Sequence, residues 1–424
     1  MERGQFPKGF LWGASTSAHQ VEGGLRNDWT EWEKQNAEQL AQEAERRFGH
    51  LPIWSDIKTQ AQNPQNYISG RACDHYNRYE EDFDIAQSLG HTAHRFSIEW
   101  SRIEPREGEF DEKEIEHYRN VVRALRARGM EPFVTLWHWT QPTWIADIGG
   151  WENKKTVEYF LRFVEKIADA YKNDVTHFIV LNEPNIYTAF GFITGSHPPG
   201  IKNIFKAENV YLNLRAAQKG SYKVIHNGNP RAQVGIANSF MYFEEKNGLF
   251  FNTWIKNVVE YFWNFWFLNK IKNDLDFIGC NYYSRYLIGL GNKMVKTGDM
   301  SDLGWEIFPK GIYCILKRLG KYKKPLYVTE NGIADAQDKQ RRNFIEEHLF
   351  WTHKAIREGV DVRGYFHWSL LDNFEFPEVR GFWPRFGLVE VDYKTMKRNI
   401  RPSAHTYAKI CKTNTIDCFL INSF

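Results

Sequence analysis

Eight candidate strands recur along this chain, and helical stretches lie between most of them. These runs are Phe10 to Ala14, Thr92 to Ile98, Pro132 to Trp137, His177 to Asn182, Gln233 to Asn238, Asp276 to Asn281, Leu326 to Glu330 and Arg363 to Ser369. A run that is apolar along its whole length fits a strand covered on both faces, as parallel strands are. The intervening stretches Asp111 to Arg128, Thr156 to Tyr171 and Arg341 to Glu358 place apolar residues at helical spacing, for example Ile115, Tyr118, Val122 and Leu125. Strand, helix, strand, repeated eight times, predicts parallel pairing with crossovers and a sheet that closes on itself. The fold class is therefore α/β, a single (β/α)8 TIM barrel. A length of 424 residues is at the upper end for one such barrel. The polar stretch from Asn27 to Arg71 reads as a loop insertion after the first strand, forming part of the wall of the mouth.

Several runs stop on a polar residue: His138, Glu183, Asn238, Asn281 and Glu330. In a barrel of this kind that rim carries the active site. Two of the runs end on a glutamate and then break at once, at Pro184 in one case and at Asn331-Gly332 in the other. Two such strands can bring Glu183 and Glu330 to one place. A pair of carboxylates is what glycosidic bond cleavage needs, one as acid and one as base or nucleophile.

Composition removes other classes. Fifty-five basic against 52 acidic residues leave a net charge of +3, which gives no reason to expect nucleic acid or an anionic membrane as partner. The basic run from Lys317 to Lys324 reads as a solvated helix end before a strand. No apolar run approaches the ~18 residues of a membrane span, and the first residues lack a signal peptide's apolar stretch. Cys73, Cys280, Cys314, Cys411 and Cys418 are an odd, scattered set, so reduced thiols and a cytoplasmic location are expected. Neither a metal-ligand spacing nor a phosphate loop is present, so no metal and no cofactor are expected. Aromatic content is high, at 16% with 16 tryptophans. Part of that is core, and part suits flat platforms for sugars.

These residues amount to a pattern. The chain resembles glycoside hydrolase family 1, the retaining β-glucosidase and β-galactosidase family, from residue 6 to about 410. The markers are FPKGFLWGAST (Phe6 to Thr16), RFSIEWSR (Arg95 to Arg102), NEP (Asn182 to Pro184), TENG (Thr329 to Gly332) and HWSLLDNFE (His367 to Glu375). The resemblance implies one catalytic barrel domain over residues 1–424, with a surface tail from about Cys411. It implies that Glu183 is the acid/base and Glu330 the nucleophile of a double displacement through a covalent glycosyl-enzyme. Arg95 is the cation that keeps Glu330 charged, Tyr283 donates to Glu330, and Asn182 bonds the sugar 2-hydroxyl. Substrate-binding roles fall to Gln20, His138, Asn281 and Glu375 for the sugar's hydroxyls, to Trp368 as the floor under the ring, and to Trp305 as a platform on the aglycone side. Glu22, Glu99 and Arg102 read as structural partners. The implied substrates are terminal β-glucosides, with β-galactosides and β-fucosides, as small glycosides or oligosaccharides.

The chain departs from the family at three places. Phe376 stands where a tryptophan N–H normally reaches a sugar hydroxyl. The stretch from Phe240 to Asn273 is short and dense in aromatics, Tyr261 to Phe267 above all, which suits an altered mouth or a subunit contact. The end runs on past Cys411. A phospho-glycosidase would need a phosphate site where Glu375 would repel the ligand, and a myrosinase-like enzyme would replace Glu183 by Gln. A non-catalytic binder of sugars or aromatic ligands is the alternative of a different class; such proteins lose one or both glutamates, and binding without turnover would mark one.

Overall fold

The computed structural model describes residues 3–246, 250–289, 298–376 and 379–417. Eight parallel strands close into a barrel in sequence order: β1 (Leu11–Ser15), β2 (Ala93–Ser97), β3 (Glu131–Trp137), β4 (His177–Asn182), β5 (Gln233–Glu245), β6 (Phe277–Ile288), β7 (Leu326–Asn331) and β8 (Val362–Trp368). β1 pairs with both β2 and β8, with Ser15 opposite Arg95 on one side and Trp368 on the other. That register brings the residues at the strands' C-terminal ends to one rim.

The barrel is filled, not hollow. Phe133, Phe277, Tyr327 and Phe366 meet inside it, with the Phe133 ring 4.9 Å from Phe366 and 5.1 Å from Tyr327. The helices cover the outside with one apolar face each. Glu112–Ala127 is started by Asp111, whose carboxylate accepts from the N–H groups of Lys113 and Glu114. It buries Ile115, Tyr118, Val122 and Leu125, the stripe read from the sequence. Lys155–Tyr171 and Arg341–Arg357 lie within a residue or so of their expected limits.

Three regions differ from expectation. Residues 27–71 are mostly helical: Asp28–Gln42, Ala44–Phe48, Trp54–Ala61 and a short turn Pro64–Tyr67. Asn27 caps the first of these by accepting from the Thr30 N–H, and the Thr30 hydroxyl takes the Asn27 N–H in return. The buried stripe is Trp29, Glu33, Ala37 and Ala41. Its regular spacing is disguised in sequence by a glutamate, which is buried against His19 and Ser69. The insertion does help build the mouth, where Phe48, Leu51 and Ile57 join Trp368, Trp383 and Phe386.

β5 and β6 run on past their expected ends at Asn238 and Asn281 and stay paired out to Glu245 and Ile288. The aromatic stretch follows as a helix Phe250–Glu260, a π-helical turn Tyr261–Phe265 and a helix Trp266–Ile271. Phe267 is buried, and Trp263, Phe265 and Trp266 pack on the core, whereas Tyr261 and Phe262 are exposed.

At the end of the chain, residues 411–417 are not a loose tail. Cys411 is buried in the helix Pro402–Thr413, and Thr415–Asp417 pairs antiparallel with Arg3–Gln5. That clasp joins the first and last strands of the described residues. Cys418 and the rest of the expected tail lie outside the described residues.

Candidate active site

Glu183 and Glu330 stand at the ends of β4 and β7, and both are buried. Glu183 is the first residue past β4 and has left-handed backbone angles, φ 43° and ψ 58°. A non-glycine residue is held there only by its surroundings. Pro184 then starts a short helix, and the Glu183 N–H donates to Ala237 O at 2.7 Å. Glu330 lies opposite Asn281 in the β6–β7 register.

Arg95 organises the floor. From β2 it donates to Glu330 Oε1 at 2.5 Å, to Asn182 Oδ1 at 2.6 Å and to Thr135 Oγ1 at 3.1 Å. Tyr283 donates its hydroxyl proton to Glu330 Oε2 at 2.7 Å. Both oxygens of Glu330 therefore accept from a fixed donor. Asn281 donates to Glu183 Oε1 at 3.0 Å and is itself oriented by Thr329, which donates to Asn281 Oδ1 at 2.7 Å.

The environments of the two glutamates differ. Glu183 has one amide donor, and burial together with the nearby charge of Glu330 pushes its carboxyl up to about 8. At neutral pH it holds a proton. Glu330 instead faces a guanidinium and a phenol.

Above this floor lies a small cavity. Gln20, His138, Asn182, Glu183, Tyr283, Trp305, Glu330, Trp368, Glu375 and Phe376 all border it, so every expected site residue is brought together except Arg95 and Asn281, which sit directly beneath. Asn182 Oδ1 is taken by Arg95, so its amide nitrogen faces His138 Nε2 at 3.0 Å. Burial holds the His138 ring far below its usual range and hence neutral. With Nε2 accepting, the proton sits on Nδ1, which is buried without a partner. Glu375 accepts from the Trp368 indole at 3.3 Å, and burial pushes its carboxyl well up. Gln20 is locked by Ser17, Asn373 and the Phe374 carbonyl. Phe376 is wedged between Trp29, His19 and Trp139, with ring centroids 4.4, 5.1 and 5.2 Å away.

The structure adds residues that the sequence did not single out. Trp139 lines the cavity at φ 74° and donates its indole N–H to the Asn182 carbonyl. Phe386 closes one side from far along the chain. Neither sits in a motif, and a tryptophan in a left-handed conformation leaves no mark in the sequence. Glu22 and Arg102 pair at 2.9 Å, and Glu99 accepts from Ser101 and Thr140, which makes all three structural.

A wider, open cleft lies beside residues 269–273 and 318–324, which lead into β6 and β7. It borders the basic run, where Lys317 pairs with Glu358, Arg318 with Glu260, and Lys324 donates to the Leu275 carbonyl. Among the described residues its one lining acid, Glu260, is held by Arg318, so no carboxylate pair faces it.

A parallel barrel with two carboxylates of unlike environment at its C-terminal rim, under an aromatic-lined cavity, defines a β-glycosidase. The sequence model of glycosyl hydrolase family 1 matches residues 2–268 and 267–416. β-Glucosidase A of Thermotoga maritima is 32% identical, with 97% of this chain and 99% of that protein aligned. A β-galactosidase of Sulfolobus acidocaldarius is 31% identical over 97% of this chain and 96% of its own. Among solved structures, a β-glycosidase from Pyrococcus horikoshii superposes with a TM-score of 0.86 at 34% identity, covering 98% of this chain and 97% of that one. The chain belongs to glycosyl hydrolase family 1, whose members cleave with retention of configuration.

Proposed function

We propose that this protein is an exo-acting β-glycosidase that removes terminal β-D-glucosyl units and accepts β-galactosyl units as well. Glu183 protonates the leaving oxygen, while Glu330 attacks the anomeric carbon and forms the glycosyl-enzyme. Glu183, now a carboxylate, then takes a proton from the incoming water. The observation that carries this reading is the contrast between the carboxylates: Glu183 rises to about 8, and Arg95 and Tyr283 bond both oxygens of Glu330. Asn182 and His138 border the cavity, where they serve the sugar's hydroxyls. Trp368 supplies the apolar floor. The free thiols of Cys73, Cys280, Cys314 and Cys411 support a reducing, cytoplasmic setting. Exposed Tyr261 and Phe262 are the residues that a contact between subunits would use.

NMR of the first sugar released from an aryl β-glucoside tests the roles. The β-anomer should precede mutarotation; the α-anomer first would mean direct attack by water and would overturn them.

A further inference from the structure

Phe376 lies in the loop after β8, at the edge of the sugar cavity. The insertion of residues 27–71 fixes its ring from two directions. Trp29, on the helix Asp28–Gln42, packs on it directly, with ring centroids 4.4 Å apart. His19 lies against it nearly face to face, at 5.1 Å and 24°. His19 is not part of the insertion, but the insertion holds it.

His19 sits on the short helix Ala18–Val21, one residue before Gln20, and is buried. Both of its ring nitrogens are engaged. Asn27 Oδ1 is taken by the Thr30 N–H, so the Asn27 side chain presents its nitrogen, which donates to His19 Nδ1 at 3.1 Å. The ring proton is therefore on Nε2, which donates to Glu33 Oε1 at 2.7 Å. Burial disfavours a second proton on the ring and Glu33 favours one, with the balance upward. The Asn27 N–H decides against it, since two donors would then face each other. Glu33 Oε2 accepts from the N–H and the hydroxyl of Ser69, at 2.8 and 2.7 Å. Asn27 and Ser69 stand near the two ends of the insertion, so its base closes on one imidazole that can neither flip nor turn. A leucine at position 33 would continue the apolar stripe of Trp29, Ala37 and Ala41 without the cost of burying a carboxylate. A glutamate is what a fixed orientation of His19 requires.

We propose that Glu33 and His19 are positioning residues for sugar binding: Glu33 fixes the His19 ring, and that ring fixes Phe376. Neither borders the cavity. The insertion thereby sets how well the cavity holds a glycosyl unit, because a binding wall is only as well placed as the side chains that lock it. The bonds that set the two carboxylates come instead from Arg95, Tyr283 and Asn281, so the chemical step is left alone. This rests on the reading of the cavity as the sugar site.

Steady-state kinetics with an aryl β-glucoside, and competitive inhibition by glucose, test it well below Tm. Glu33→Ala should raise KM and the Ki of glucose by about three- to tenfold, with kcat within about twofold. Its alkaline limb should stay near pH 8. Glu33→Gln keeps an acceptor for the His19 Nε2–H and should hold Ki within about twofold of the wild type. His19→Phe keeps a flat ring against Phe376 without the nitrogens and should raise Ki as Glu33→Ala does. Glu33→Ala added to His19→Phe should then change Ki by less than about twofold, since one acts through the other. Near-UV circular dichroism checks each fold; if Glu33→Ala does not fold, Glu33→Gln against His19→Phe decides. An unmoved Ki in the folded variants, or multiplying effects in the double variant, would overturn this inference alone. So would a loss carried by kcat or a displaced alkaline limb, which would tie the pair to the carboxylates. A wild type that releases no glucose would overturn the reading of the cavity, and this inference with it.

Discussion

Arg95 and Glu330 meet at 2.5 Å with neither side chain more than 5% exposed. A buried ion pair of this kind repays its desolvation only when every remaining donor and acceptor is engaged. Here they are: Arg95 also reaches Asn182 and Thr135, and Glu330 also takes the Tyr283 proton. The pair joins β2 to β7 across the barrel, and the same guanidinium fixes the Asn182 amide, so Glu330 and Asn182 are set by one side chain.

The two carboxylates should separate by the product that azide forms. Glu330→Ala removes the covalent intermediate and nearly all turnover. Azide should then attack the substrate directly and give the α-glycosyl azide. Glu183→Ala should still glycosylate Glu330 from substrates with good leaving groups, and azide should give the β-glycosyl azide. Proton NMR of the azides decides, and reversed anomers would exchange the roles.

On the proposed roles the alkaline side of the pH profile belongs to protonated Glu183, so kcat/KM should fall as pH rises through about 8. Burial raises Glu183 and the Asn281 hydrogen bond opposes the rise. Asn281→Leu removes that opposition, so the alkaline limb should move to higher pH; a limb that stayed or moved down would show that Asn281 does not stabilise the ionised carboxylate. The same shift links to folding. A carboxyl raised in the folded state stabilises the fold at low pH, and that stability is lost as pH climbs through about 8. Glu183→Gln should therefore flatten the decline of Tm between about pH 4.5 and pH 8, where the folded state holds this proton and the unfolded chain does not.

The barrel and the catalytic rim were legible because both rest on local pattern. The strands that deliver the two glutamates are apolar runs, and Glu183 and Glu330 each stand where such a run stops. What was not legible rests on burial of polar groups. The helix Asp28–Gln42 hides Glu33 in its apolar face, and a buried glutamate reads as solvent-facing until His19 and Ser69 are seen against it. Trp139 and Phe386 reach the cavity through backbone turns that no spacing encodes.

Asn27 shows how much one such polar group carries. It caps its helix through Thr30, and its amide also reaches His19 Nδ1 at 3.1 Å and Glu99 at 3.3 Å. Asn27→Ala removes the cap and strips the buried His19 Nδ1 of its partner. Urea unfolding should show a loss of about 2 to 3 kcal/mol, more than a cap alone gives. A loss below about 0.5 kcal/mol would mean that the insertion is held by its apolar contacts instead.

The last expectation turns on Phe376. Glucose and galactose differ only at C4, where one hydroxyl is equatorial and the other axial. Discriminating between them takes directional donors and acceptors. Glu375 borders the cavity with one oxygen accepting from Trp368, and both hydrogens of the Gln20 amide are committed to Asn373 and Phe374. Phe376 adds area without direction, and its ring is held by Trp29, His19 and Trp139. We therefore expect kcat/KM for aryl β-glucosides and β-galactosides to lie within roughly tenfold, about 1.4 kcal/mol of discrimination in the transition state. Phe376→Trp introduces an N–H at the cavity edge. A single neutral hydrogen bond is worth about 0.5 to 1.5 kcal/mol, so the variant should change the ratio by about two- to tenfold. The indole must fit where a phenyl is already packed on three rings, so some loss of Tm should accompany the change. A thousandfold preference in the wild type, or a tryptophan variant whose ratio does not move, would show that position 376 packs the wall without reading the sugar.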